Sequence, residues 1–162
     1  MTAWKEPTVA ATRRKLRQSM ELSYYIRNLV IFSIIYLISG GMAVLSSGTA
    51  PQPTMWLTMG IMLAVFYAPL LGFFLWRIIQ IFRKPEEYIF CRTTLSQPHA
   101  GIFRNTMNFS VLLELPDGTR RTRTTHSIFM THGLTVPLLE DYVNREVTVG
   151  YNEETETVVV IG

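Results

Sequence analysis

Two apolar stretches decide the fold of this chain: residues 29–45, LVIFSIIYLISGGMAVL, and residues 55–76, MWLTMGIMLAVFYAPLLGFFLW. From position 28 to position 76 the sequence has no Asp, Glu, Lys or Arg. A helix needs about 20 mostly apolar residues to cross a hydrocarbon core of about 30 Å. Because a chain of 162 residues has too little protein to bury two such helices, we expect a transmembrane hairpin over residues 29–83. Its helices are expected at about residues 29–47 and 55–76, and the second is expected to continue into an interfacial helix end.

A cleaved signal peptide is the alternative interpretation of the first stretch. Gly48, Thr49 and Ala50 resemble a small-residue cleavage site behind a basic segment. Pro51 would then follow the cut, where proline fits poorly, and the 28 residues before the stretch are long for such a segment. An uncleaved first helix is therefore the favoured interpretation.

The charges around the hairpin predict its orientation. Basic residues outnumber acidic ones by six to two before the first helix and by three to two over residues 77–87, whereas the connecting loop has no charge. Basic residues near a membrane stay on its cytosolic side. We therefore expect a multi-pass protein of the cell (inner or cytoplasmic) membrane, with both the N-terminus and the C-terminus in the cytosol.

The net charge of +3 raises the question of a nucleic-acid partner, and the distribution of the charge answers it. The balance is +4 before the first helix, +1 over residues 77–87 and −2 from residue 88 onward. The excess of basic residues lies in the segments that flank the predicted membrane helices, so we expect no nucleic-acid partner.

The N-terminal segment, residues 1–28, is predicted to be cytosolic and partly helical, with an amphipathic helix over about residues 12–28. Its basic cluster is the candidate contact for anionic lipid headgroups, because each basic residue near such a surface adds about 1 kcal/mol of binding. The alternative is that the cluster only sets topology, and both can hold. The cluster consists of Arg13, Arg14, Lys15 and Arg17.

Small residues recur every fourth position in both apolar stretches, which places them on one stripe of each helix. Such stripes let two helix backbones approach closely in lipid. We expect the two stripes to face each other within the hairpin, with a homo-oligomer interface as the alternative, and Pro69 to bend the second helix. The stripe residues are Ser39, Ala43 and Ser47 in the first helix and Gly60, Ala64, Ala68 and Gly72 in the second.

After position 84 the pattern changes to short alternating runs, which predicts a cytosolic β-domain over residues 84–162. The predicted strands cover residues 88–95, 107–115, 119–129, 146–151 and 155–161, and residues 134–143 are expected to hold one short helical turn. We therefore expect a small all-β domain, an SH3/OB-like barrel or a sandwich, beside the membrane α-helical hairpin.

The register of the hairpin at residues 116–118, Pro-Asp-Gly, stays open at this stage. A type I turn with a bulge at Gly118 suits the proline but places Arg121 and Arg123 opposite the apolar face of the preceding strand. A two-residue turn at Asp117 and Gly118 would instead pair Glu114 with Arg121.

The best candidate for a binding surface is the basic strand that carries Arg120, Arg121 and Arg123, because arginine forks bind carboxylates and phosphates. His99, His126 and His132 do not form a metal-spacing motif with Cys, Asp or Glu, and Cys91 has no base partner in the sequence and is expected to be a packed thiol. We expect no catalytic, cofactor or metal site, and hence no enzyme.

The β-domain resembles a group of small bacterial membrane proteins of unknown function that carry one or two transmembrane helices and an SH3/OB-like β-barrel. The resemblance lies in Gly101-Ile102 as an opening strand, in residues 111–118 (VLLELPDG) and in residues 143–152 (VNREVTVGYN). The architecture also resembles NfeD-like membrane-anchored OB domains, which accompany membrane proteases. Neither resemblance implies catalytic residues.

Hairpin and β-domain together predict a non-enzymatic integral membrane protein whose cytosolic β-domain is a protein-interaction adaptor or accessory subunit. Its expected partners are membrane lipid and a protein, with a homo-oligomer as a further option. One alternative is a small oligomeric channel or transport component that assembles through the second helix. Another is an immunity-type protein that neutralises a membrane-active toxin.

Overall fold

A computed structural model describes residues 3–46, 53–96, 98–100, 106–115, 118–126, 128–129 and 144–161. The chain divides into two compact units. A helical unit covers Tyr25–Ile78, and a β unit combines Met1–Tyr24 with Ile79–Gly162. The β unit is therefore built from both ends of the chain.

Four α-helices are described. They are α1 (Val9–Arg17), α2 (Met20–Ser46), α3 (Pro53–Met62) and α4 (Ala68–Phe82). The first apolar stretch lies in α2, and the second extends from α3 into α4. Two helical stretches, Met20–Leu45 and Pro53–Phe82, are long and apolar enough to cross a membrane. The helical unit leaves large apolar side chains exposed, including Leu37 at 70% and Leu45 at 81%. This placement suits an apolar solvent.

The expected helix over residues 12–28 is interrupted, because α1 ends at Arg17 and α2 begins at Met20. Ser19 separates the two helices: its backbone forms a β-bridge with Ile161, and its hydroxyl accepts a hydrogen bond from the amide of Leu22 at 3.4 Å. A serine at this position caps the first turn of the following helix. The pairing with Ile161 is a tertiary contact that helical periodicity does not reveal.

A π-helical turn, Leu63–Tyr67, separates α3 from α4. It ends two residues before Pro69, which has no amide hydrogen to donate to the preceding turn. A wider turn at this point accommodates the missing hydrogen bond. A π turn thus precedes Pro69, and the bend expected there stays a prediction.

Seven strands form two antiparallel sheets in the described part of the β unit. The strands are β1 (Tyr88–Thr94), β2 (Pro98–Ala100), β3 (Thr106–Glu114), β4 (Arg120–Thr124), β5 (Ile128–Phe129), β6 (Glu146–Asn152) and β7 (Thr157–Ile161). One sheet has the order β1-β6-β7, and in the other β3 pairs with β2, β4 and β5. These two sheets are not closed into a barrel, so the closed form expected for an SH3/OB-like domain is not seen in the described residues.

A single hydrophobic core joins the two sheets. Phe109 and Val111 of β3 are fully buried in the same cluster as Val149 of β6 and Val160 of β7. On β3 the exposed Leu112 alternates with these buried positions, as the period of two in the sequence predicts. The core therefore lies on the inner faces of both sheets.

The structure decides the register of the 116–118 hairpin. Leu113 pairs with Arg121 and Glu114 with Arg120, and the amide of Gly118 donates to the carbonyl of Leu115 at 2.9 Å. Gly118 has φ 79°, which favours glycine and marks the bulged turn. The alternative in which Glu114 pairs with Arg121 is therefore wrong.

Several predicted elements differ in detail from the structure. The strand expected over residues 119–129 is divided into β4 and β5, with Thr125 held by reciprocal bonds to Phe109 between them. Strand β2 was not expected. The opening strand at Gly101-Ile102 and the helical turn at residues 134–143 lie outside the described residues.

Candidate functional site

The N-terminal segment pairs with both edge strands of the β1-β6-β7 sheet. At β1, Trp4 and Phe90 exchange two backbone hydrogen bonds of 2.8 Å each. At β7, Ser19 forms a bridge with Ile161. An exposed strand edge is a template for pairing with another chain, so these two edges are partly occupied by the protein itself.

Glu21 completes the cover of β7 with its side chain. Its Oε2 atom accepts a hydrogen bond of 2.8 Å from the amide of Val160, and the residue is fully buried. Its other oxygen, Oε1, has no hydrogen-bond partner among the described residues. A buried amide without an acceptor is costly, so Glu21 stabilises the β7 edge of the sheet. Among the described residues, Glu21 is the acidic side chain that links the start of α2 to β7 by a hydrogen bond.

Strand β4 differs from those edges, because among the described strands it pairs with β3 alone. Four of its five residues are exposed and Arg123 is half-buried. Leu115 and Phe109 both form backbone hydrogen bonds to the β4 side of the hairpin. Because Leu113 lies an even number of residues from each of them, Leu113 and Arg121 are also a hydrogen-bonded pair. Because such pairs alternate, the backbone groups of Arg120, Thr122 and Thr124 point away from β3.

Each arginine of β4 faces a carboxylate within the chain. The shortest pair joins Arg121 Nη1 to Glu153 Oε1 at 3.1 Å. Arg120 lies 3.9 Å from Glu114 and Arg123 lies 3.9 Å from Glu156. These pairs are solvent-screened and contribute little to stability. The basic strand predicted as a binding surface is thus formed, and its charge is largely neutralised by the β-domain's own acidic residues.

Arg123 also contacts the core side of the sheet. Its guanidinium lies 5.9 Å from the ring centroid of Tyr151, which is 2% exposed. Such a contact is a cation–π interaction. Arg121 and Arg123 occupy alternate positions on β4, so they lie on the same face of the sheet.

The basic cluster of the N-terminal segment is divided by α1 into an inward and an outward part. Lys15 points inward: its Nζ lies 4.9 Å from the ring of Trp4 and 5.0 Å from that of Phe90, and it is paired with Glu6. The hydrogen bonds from Lys15 and Trp4 lower the pKa of Glu6. Of the predicted lipid contacts, Lys15 therefore binds within the β unit, whereas the outward part is exposed. That part is Arg13, Arg14 and Arg17.

The small-residue stripes do not face each other in the helical unit. All four stripe residues of the second helix are exposed, and a Cβ atom built on Gly60 or Gly72 would meet nothing within 4 Å. On the first helix, Gly40 approaches the second helix closely, since a Cβ atom there would lie 3.0 Å from Met59 Cε. Aromatic stacking joins the helices instead, with the Tyr36 and Tyr67 ring centroids 4.4 Å apart. Ser47 lies outside the described residues.

An apolar groove of about 460 Å³ lies between the same helices. Ser39, Gly40 and Ala43 line one side, and Met59, Met62 and Tyr67 line the other. Of the first-helix stripe, Ser39 and Ala43 therefore face this groove.

The residues considered for metal or nucleophilic chemistry do not come together as far as the structure describes them. No group of three His, Cys, Asp or Glu side chains in the described part of the chain is placed to hold a metal ion. Cys91 is buried in the core, and this burial raises the pKa of its thiol. His99 is exposed on β2 and His126 follows β4, while His132 lies outside the described residues.

Sequence reasoning did not identify the residues that cover the sheet edges. Trp4 lies outside any strand pattern, and Ser19 lies inside a helical one. Glu21 carried a signal, because it is the only acidic residue between the basic cluster and the uncharged stretch. Nothing in the sequence pairs it with Val160, which is 139 residues away.

Comparison with known protein families, with curated protein sequences and with solved structures finds no match to this chain. The resemblances to small membrane proteins with SH3/OB-like domains and to NfeD-like proteins therefore remain expectations from the sequence.

Proposed function

We propose that this protein is a membrane-anchored, non-enzymatic adaptor whose cytosolic β unit binds a protein partner through the edge of β4. In this proposal the two apolar helices span the cell membrane, and the β unit lies in the cytosol, as the flanking basic residues indicate. The observation that carries the proposal is the contrast between sheet edges: the N-terminal segment pairs with part of the β1 edge and part of the β7 edge, whereas the β4 edge is exposed within the described residues.

The edge of β4 offers a partner both outward-pointing backbone hydrogen-bonding groups and charged side chains. The outward N–H and C=O groups of Arg120, Thr122 and Thr124 match the spacing of an added antiparallel or parallel strand. Addition of an extended peptide to an exposed edge is a common mode of protein recognition, in which backbone bonds provide affinity and side chains provide specificity.

The arginines define the chemistry of the partner. Arg121 and Arg123 lie on one face of the strand, where a segment with carboxylates at alternate positions would meet both. Their present partners, Glu153 and Glu156, are 60% and 74% exposed at the side chain. Since exposed ion pairs exchange at little cost, acidic side chains of a partner would replace them. We therefore propose an extended, acidic protein segment as the partner.

Crosslinking from the strand edge tests this proposal in native membranes. A photo-crosslinking amino acid at Thr124 should capture one protein, identified by mass spectrometry, whereas the same group at Arg92, an exposed residue of β1, should not capture it. A Thr122→Pro background removes one outward amide and leaves the bonds to β3 in place. It should abolish the crosslink.

A matched Thr122→Val background supplies the control, because valine favours a strand and keeps the amide. Equal crosslinking in the Pro and Val backgrounds would contradict edge pairing. Recovery of the chain alone from native membranes, in every mild detergent tried, would contradict the adaptor function itself.

A further inference from the structure

The exposed face of α1 is a second basic surface that differs from β4. Thr12 and Leu16 are buried, at 3% and 0% exposure, and fix which face of the helix points inward. Thr8 caps the start of the helix, since its hydroxyl accepts a hydrogen bond from the amide of Ala11 at 3.2 Å. On the opposite face Arg13, Arg14 and Arg17 are exposed within two helical turns.

Within the part of the chain that the structure describes, the arginines of α1 lack the neutralising partners that the β4 arginines have. Among the described residues, the ion pairs of the N-terminal segment involve Lys5 with Glu87 and Lys15 with Glu6. None involves the outward arginines of α1 in this part of the chain. Acidic residues are thus placed against Lys15 and against β4, and the α1 face keeps a local charge of +3 from three side chains.

The position of α1 in the chain limits what this surface can meet. Arg17 lies eleven residues before the uncharged interval that begins at position 28. Eleven residues span at most about 40 Å even when fully extended. If the hairpin crosses the membrane, the three arginines are tethered near its cytosolic face, where anionic headgroups attract basic residues.

We propose that Arg13, Arg14 and Arg17 form a binding surface for the phosphates of anionic phospholipid headgroups. Guanidinium groups bind phosphate oxygens through paired hydrogen bonds, which lysine does not reproduce. A bilayer presents several phosphates at once, which suits three arginines on one helix face. The proposal rests on the membrane hairpin and is independent of the edge of β4, so either can fail alone.

Lipid binding by the full-length chain in neutral detergent tests the proposal. The probe is phosphatidylglycerol, titrated against phosphatidylcholine and followed by native mass spectrometry. In the variant Arg13→Gln/Arg14→Gln/Arg17→Gln, we expect the preference for phosphatidylglycerol to fall roughly a hundredfold, because each basic residue is worth about fivefold. Lys5, Lys15 and Arg27 remain and keep a basic N-terminal segment for insertion.

The variant Arg120→Gln/Arg121→Gln/Arg123→Gln is the matched control, since it removes the same charge from the neutralised cluster. It should bind phosphatidylglycerol as the parent does. An equal loss in both variants, or no loss in the α1 variant, would overturn the proposal. Displacement of the lipid by inorganic phosphate at the same concentration would also overturn it, because free phosphate would then be the ligand.

Discussion

The two units of this chain use the same apolar residue types in opposite ways. In Tyr25–Ile78 large side chains point outward, with Leu37 70% and Phe66 67% exposed, whereas in the β unit Phe109 and Val149 are fully buried. In water, exposed apolar side chains are unfavourable and buried ones are favourable. The difference fits the proposal that the helical unit lies in lipid and the β unit in water. Substitutions that exchange these environments test it.

The largest effect is expected in the core of the β unit. Phe109→Ala removes a fully buried ring and should lower the free energy of unfolding of the β unit by about 3–5 kcal/mol. Leu112→Ala, the neighbouring position that is 49% exposed, should cost less than about 1 kcal/mol. Thermal unfolding in detergent, followed by circular dichroism, measures both. Equal destabilisation by the two changes would contradict the assignment of inner and outer faces.

A charge in the helical unit should have the next largest effect, and it acts on insertion. Leu37 lies near the middle of the first apolar stretch, and an arginine at a helix centre costs about 3 kcal/mol in membrane insertion. Leu37→Arg should therefore reduce the fraction of chain that resists alkaline extraction. Leu112→Arg, on the exposed face of β3, should leave that fraction unchanged. Loss of membrane association in Leu112→Arg but not in Leu37→Arg would contradict the proposal that the helical unit is the part that lies in lipid.

A smaller effect is expected at Glu21, where α2 meets β7. Glu21→Leu leaves the buried amide of Val160 without an acceptor and should destabilise the β unit by about 1–3 kcal/mol. Glu21→Gln keeps an acceptor oxygen at nearly the same volume, and it should cost much less. The unfolding midpoint of each variant in one detergent makes the comparison. If Gln were as damaging as Leu, the hydrogen bond to Val160 would not be the stabilising contact.

The smallest effect concerns the ion pairs of the exposed β4 edge. Arg121→Gln breaks the 3.1 Å pair with Glu153 and should change stability by less than about 1 kcal/mol, and the difference should shrink further in high salt. The same variant should weaken crosslinking of the acidic partner from Thr124. A strong loss of stability would show that the arginine is structural and would remove it from the proposed binding surface.

The sequence predicted those parts of the fold that depend on local patterns. Residue periodicity identified the apolar helices and most strands, because a period of two or an uncharged run is visible without neighbours. The break at Ser19 and the split after Thr124 depend on pairing with Ile161 and Phe109. Such long-range pairing overrides the local pattern and has no local signal.

The candidate site was predicted only as far as residue type allows. The arginines of β4 and α1 were identified by their charge, but the sequence did not show which of them face carboxylates within the fold. Glu153 and Glu156 approach β4 from the turn between β6 and β7, and Glu6 draws Lys15 inward. These partners are distant in sequence, so only the fold distinguishes the neutralised cluster from the exposed one.

The most direct test of the membrane hairpin is the labelling of two introduced cysteines, one per variant, with a membrane-impermeant maleimide. Thr54, an exposed residue in the first turn of α3, and Glu154, in the β6–β7 turn, are each changed to cysteine, and the parent chain with its buried Cys91 is the control. Thr54→Cys should be labelled in intact cells, and Glu154→Cys only after the membrane is permeabilised. Labelling of Glu154→Cys in intact cells, or of both positions only after permeabilisation, would contradict a hairpin that crosses the membrane with its β unit in the cytosol.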